Sequence, residues 1–109
     1  MIRTILIAIV LIFGSQSPST SGELTFSDVN PEWALFTGAI RVDEIDAILA
    51  KLKERKPKLL ALASQGGNVG AASRLARHVH ENEINTFVTS EVNCTSACAL
   101  VFLAGSERY

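Results

Sequence analysis

The sequence predicts an α/β fold built on a parallel sheet with right-handed βαβ crossovers, and three observations point to it. Apolar runs of strand length, residues 34–40, Leu59–Ala63 and residues 84–89, alternate with two stretches of helical periodicity and a final all-apolar run over residues 97–104. That order of strand and helix, repeated three times, implies parallel strands joined by crossovers of one hand. The 109 residues, 48% of them hydrophobic, have room for one small domain.

The first 21 residues are expected to be a signal peptide or an N-terminal membrane anchor, leaving 22–109 for the domain. Arg3 precedes an apolar run over residues 5–13. A helix of that length covers about 14 Å, roughly half of a ~30 Å hydrocarbon core, which is the length of a signal segment. The small, polar, proline-containing stretch 14–22 follows, with Ser15/Ser17 or Ser19/Ser21 as cleavage-site pairs. Neither pair is Ala-x-Ala, so membrane attachment through residues 5–13 stays open beside cleavage. Both readings place the domain in the periplasm or another extracytoplasmic space.

Residues 24–26 read as an edge strand, followed by a turn at Asn30-Pro31 and by Trp33 as core packing. Residues 34–40 read as the first core strand, in which Gly38 marks a bulge or a close backbone approach. Asp43 is placed to cap the next helix, whose Ile45, Ile48, Leu49 and Leu52 recur at helical spacing and leave Glu44, Lys51, Lys53 and Glu54 outward. The basic run over residues 51–58 reads as the solvated end of that helix, favoured by its dipole. Lys56-Pro57 ends the helix, because a residue before proline is pushed toward extended conformations, and Leu59–Ala63 follows as a buried strand. The second helix puts Val69, Ala72, Leu75, Ala76 and Val79 on one face. His78 and His80 flank that stripe, about 200° apart, so they share no metal site and read as surface histidines. Residues 84–89 are the third core strand.

A net charge of −1 and an aromatic content of 6% provide neither a polyanion-binding surface nor a stacking platform, so no nucleic acid partner is expected. No cofactor or metal is expected either. The chemistry gathers in the loops that follow the strands, where sites form in such sheets. After the second core strand comes the stretch 63–69, Ala-Ser-Gln-Gly-Gly-Asn-Val. Gly66 and Gly67 let the backbone take positive φ or approach another group closely, and leave N–H groups pointing outward. After the third comes the stretch 94–105, Cys-Thr-Ser-Ala-Cys-Ala-Leu-Val-Phe-Leu-Ala-Gly. It puts Ser96 at a helix start, where free N–H groups stabilise an oxyanion forming beside the hydroxyl. Serine is also a favoured N-cap, so capping is the competing role. Cys94 and Cys98, the only cysteines, stand at i, i+4 across the helix start, within reach of a disulfide that would hold Ser96 in place. Two packed thiols are the alternative.

These two stretches together resemble the Clp-protease proteolytic subunit and its relatives in the Clp/crotonase superfamily. Ser64-Gln-Gly-Gly67 resembles the family's Ser-Pro-Gly-Gly turn, and residues 96–105 resemble its nucleophile helix ending in Ala-Gly. The separation of 29 positions between Gly67 and Ser96 agrees with the family, and residues 34–40 resemble its opening strand with a Gly-x-Ile end. The flanking cysteines and the Phe-Leu-Ala-Gly ending are most similar to predicted periplasmic Clp-like proteins of bacteria. Two departures stand out over the matching span, residues 34–109: Gln65 replaces the usual proline, and the chain stops before the segment that carries the family's catalytic histidine.

The resemblance implies an exported serine peptidase-type hydrolase that transfers the acyl group of a peptide or protein substrate to water, as a homo-oligomer when full-length. Ser96 is the nucleophile by resemblance; the N–H groups of Gly67 and Ala97 are the oxyanion donors by position. The catalytic histidine and aspartate have no counterpart here, so the resemblance implies an amino-terminal portion, or a truncated product, of an incomplete fold with an unpaired sheet edge. Two alternatives remain. One is a non-catalytic exported scaffold or binding module of the same fold. The other is a crotonase-like acyl-thioester enzyme without a serine nucleophile, disfavoured where coenzyme A thioesters are not expected.

Overall fold

The computed structural model describes residues 21–109, so the expected signal or anchor segment lies, apart from Ser21, outside the described residues. Four strands form one mixed sheet in the order β1 (Glu23–Phe26), β2 (Trp33–Thr37), β3 (Leu59–Ala63) and β4 (Asn85–Phe87). β2, β3 and β4 run parallel, joined by α1 (Ile45–Arg55) and α2 (Val69–Glu81), and α3 (Ala97–Leu103) follows β4. β1 pairs antiparallel with β2 through a short loop, where the Ser27 hydroxyl oxygen accepts the N–H groups of Val29 at 3.1 Å and Asn30 at 3.2 Å. So short a connection reverses the chain and cannot carry a crossover.

One face of the sheet is filled by alternate strand residues, Leu24, Ala34, Phe36, Leu60, Leu62 and Thr86, all buried. Against it pack Ile45, Ile48, Leu49 and Leu52 of α1 and Ala71, Ala72, Leu75 and Val79 of α2. Each large aliphatic side chain in this layer contributes about 1.5–3 kcal/mol by leaving water. α1 thus buries the four residues its periodicity marks. On α2 the buried stripe starts at Ala71, and Val69, in the first turn, is 60% exposed.

The opposite parity of the strands leads elsewhere. Trp33, Leu35, Leu59, Ala61 and Phe87 line an open apolar hollow of 520 Å³. Trp33 is therefore 48% exposed and is not core packing: it shares the side of Leu35, opposite Ala34 and Phe36. β3 is likewise buried on one face only.

Three local expectations are corrected. Asp43 does not cap α1, because the Arg41 guanidinium holds its carboxylate with two bonds of 2.9 Å. Glu44 occupies the N-cap position without a capping bond, and its Oε1 accepts the Gly22 N–H at 2.8 Å. Lys56 is left-handed, φ 50° and ψ 58°, and not extended; its N–H reaches Leu52 O at 2.9 Å, closing the helix before Pro57. Finally, the outer edge of β4 is not bare. Residues 107–109 lie parallel to it, with the Thr86 N–H on Glu107 O at 2.9 Å and the Val88 N–H on Tyr109 O at 3.1 Å. Gly38 makes the expected close approach, against the backbone of Ser21. Among the described residues no helix is long and apolar enough to cross a membrane.

Candidate functional site

Past Ala63 the chain stays in sheet register for one more residue. Ser64 forms a parallel bridge with Cys94, giving its N–H to Asn93 O at 2.8 Å and accepting the Thr95 N–H at 3.1 Å. The turn that follows needs its glycines: Gly66 stands at φ 100° and Gly67 at φ 150°, where a side chain is strained. Each peptide of the turn is held. The N–H of Gly66 goes to Ser64 Oγ at 3.0 Å, while Gln65 O, on the same peptide, accepts from Thr95 Oγ1 at 3.2 Å. The next peptide is held by the Ile40 N–H on Gly66 O at 2.9 Å. Because a trans peptide points its C=O and N–H in opposite directions, that bond aims the Gly67 N–H away from Ile40. Asn68 then caps α2, its Oδ1 accepting the Ala71 N–H at 2.8 Å.

Ser96 lies on the surface at the start of α3, with φ 54° and ψ −126°. Its side chain makes no capping bond, so the competing role read from the sequence is not the one it plays. A non-glycine residue held at positive φ costs about 1–3 kcal/mol, which its surroundings must impose. Here they do so through the Cys94–Cys98 disulfide, whose Cα atoms are 5.1 Å apart, and through the Cys98 and Ala99 N–H groups on Thr95 O and Ser96 O. Cys98 is fully buried, so one end of the bridge is anchored in the core.

The two turns meet. A β-carbon on Gly66 would stand 2.8 Å from Thr95 O and 3.0 Å from both the Ala97 N and the Ser96 Cβ. Among the described residues neither the Gly67 N–H nor the Ala97 N–H has an acceptor. Ala97 begins α3, where N–H groups are left over by the helical pattern. An exposed hydroxyl that caps nothing thus stands beside the Gly66-Gly67 turn, and unpaired backbone N–H groups are the kind of donor that can hold an oxyanion.

The histidines are elsewhere. His78 and His80 lie in the last turn of α2, about 14 and 17 Å along the helix from Val69. His78 is half-buried, and burial, with the nearby Lys53 charge, lowers its pKa. Among the described residues no group of three or more His, Cys, Asp or Glu is placed to hold a metal. Sequence reading passes over the Asn68 cap, although an asparagine ahead of an apolar-periodic stretch signals it. Ser64 is legible in the sequence only as the first residue of its Gly-Gly turn, because a buried hydroxyl bonding within a turn leaves no pattern of its own.

No family model matches this sequence, and no curated protein does. Among solved structures, a serine-to-alanine mutant of a membrane-bound stomatin-specific protease is similar, at 14% identity and a TM-score of 0.47, over 65% of this chain. The chain spans 38% of that protein's chain.

Proposed function

We propose that this chain carries the nucleophile half of a Clp/crotonase-type serine hydrolase acting on peptide bonds outside the cytoplasm. Ser96 Oγ adds to the substrate carbonyl carbon and gives its proton to a base. The carbonyl oxygen becomes an oxyanion held by the Gly67 and Ala97 N–H groups. Collapse breaks the C–N bond as the base returns its proton to the leaving amine. Water, deprotonated by the same base, then hydrolyses the acyl-serine and restores the hydroxyl. One observation carries this reading: Ser96 is held at φ 54°, exposed and without a capping bond. Strain of that kind persists where the surroundings over-determine it, and such residues cluster at functional sites. Support for export comes from the Cys94–Cys98 disulfide, a bond that persists in oxidising compartments.

A second reading, a non-catalytic exported module, is favoured by the Ser96 hydroxyl having no basic side chain bonded to it among the described residues. Labelling of the folded, oxidised protein with a fluorophosphonate separates the two. Slow acylation at Ser96, accelerated by added imidazole as an external base and abolished in Ser96→Ala, is the expected result. Labelling that survives Ser96→Ala removes Ser96 as nucleophile. A folded protein that stays unlabelled even with imidazole is the non-catalytic module. Export is tested by joining residues 1–22 to a reporter active only outside the cytoplasm, where a silent fusion with normal expression overturns it.

A further inference from the structure

We propose that Ser64 is a positioning residue of this site, a buried hydroxyl that sets the Gly66-Gly67 turn and the Ser96 turn in register. Its chemical consequence rests on the reading of Ser96 as nucleophile; its structural content does not. Ser64 is 3% exposed, a buried hydroxyl at the end of a core strand. Its side chain serves one turn, accepting the Gly66 N–H at 3.0 Å. Its backbone serves the other, through Asn93 O at 2.8 Å and the Thr95 N–H at 3.1 Å. Thr95 answers from the other loop, with its Oγ1 on Gln65 O at 3.2 Å and its N–H on Ser64 O, but it is exposed where Ser64 is buried.

The hydroxyl holds the Gln65–Gly66 peptide, the inner half of the turn, while the Ile40 N–H on Gly66 O holds the next one. With the Gly66 N–H turned inward onto Ser64, the amide left without an acceptor among the described residues is that of Gly67. Removing the hydroxyl leaves a buried donor unpaired, which is costly. Two glycines in sequence offer the cheapest escape, since no β-carbon resists rotation of their peptides. Loss of the hydroxyl therefore appears as a redirected turn and not as unfolding. Because Gly66 touches Ser96 and Ala97, a redirected turn moves the nucleophile as well. Ser64 also faces Cys94 across the bridge, so the register it sets is the one the disulfide braces.

The test is amide hydrogen exchange and ¹H–¹⁵N NMR on the folded, oxidised chain, comparing the parent with Ser64→Ala and Ser64→Thr. In the parent, the Gly66 amide should exchange at least about tenfold more slowly than the Gly67 amide, because only the first is bonded. Ser64→Ala should erase that difference and shift the Gly67, Ser96 and Ala97 resonances, leaving those of Leu75 and Val79 in place. Ser64→Thr, which keeps a hydroxyl, should restore the parent's pattern. Equal exchange at Gly66 and Gly67 in the parent overturns the proposal even if Ser64→Ala does not fold. Unmoved Ser96 and Ala97 resonances in a folded Ser64→Ala overturn it too. Failure of the chemistry reads separately: if the amides respond as stated while Ser96 never labels with fluorophosphonate, the positioning stands and the nucleophile falls.

Discussion

Gly66 and Ser96 touch: a β-carbon on the glycine would lie 3.0 Å from the Cβ of the serine. The same added atom would meet Thr95 O at 2.8 Å and Ala97 N at 3.0 Å, both backbone atoms of a loop braced by a disulfide. Gly66→Ala therefore combines a strained φ with a collision that no side-chain rotation relieves. The strain alone costs about 1–3 kcal/mol. Denaturant unfolding of the oxidised variant should show a lower midpoint with an unchanged slope. A midpoint equal to the parent's would mean that the Ser96 loop yields freely.

How far the sequence told this is clear from where it succeeded. The periodicity of Ile45, Ile48, Leu49 and Leu52 placed the buried face of α1 residue by residue, because a helix with one apolar stripe has one way to pack. Residue type places Gly66-Gly67 at a strand-to-helix turn and Ser96 at a helix start, where the structure has them. Trp33 failed for a physical reason: in a strand, side is set by parity, and a large apolar residue on an open face has the same composition as one in the core. Asp43 failed because a nearby Arg41 competes for a capping carboxylate. Lys56 failed because the rule for residues before proline describes a preference, and helix closure through the left-handed region outweighed it. The conformation of Ser96 was out of reach, since a serine at a helix start reads the same whether its hydroxyl caps or not.

Thiol counting in denaturant should find no free thiols in protein from an oxidising compartment and two after reduction. The loop closed by Cys94 and Cys98 is short, so reduction should cost no more than about 2 kcal/mol in global stability on the chain-entropy model. Its effect should be local, as faster amide exchange at Thr95, Ser96 and Ala97 with little change in α2. Two free thiols before reduction would contradict the bridge.

His78 should make the protein sensitive to mild acid. Burial first, and the Lys53 charge second, lower its pKa below 6.5, with Glu81 acting in the opposite sense. A base with a lowered folded pKa binds fewer protons folded than unfolded. Its contribution is full above the unfolded value and is lost as the pH falls through the folded one. Stability should therefore decline as the pH drops below 6.5, and His78→Gln should remove that part of the decline. An imidazole titration by NMR should place the midpoint under 6.5 and move it upward in Lys53→Ala; a midpoint above 6.5 would refute the assignment.

Ser96 offers the sharpest test, because structural and chemical roles predict opposite orders of stability. At φ 54° and ψ −126° it occupies a region that glycine enters without steric cost. Ser96→Gly relieves about 1–3 kcal/mol of strain and loses about 1 kcal/mol to the freer unfolded chain, so the variant should be as stable as the parent or more so. Ser96→Ala keeps the strain and removes a hydroxyl that makes no capping bond, and should be close to neutral. Lost capping, by contrast, would cost about 1 kcal/mol in Ser96→Ala. Chemical denaturation of the three oxidised proteins, followed by fluorophosphonate labelling with added imidazole, decides between them. A serine kept where glycine folds better, and needed for labelling, is there for its hydroxyl. If Ser96→Ala instead loses a full kilocalorie and Ser96→Gly gains nothing, the hydroxyl is structural and the nucleophile must be sought elsewhere.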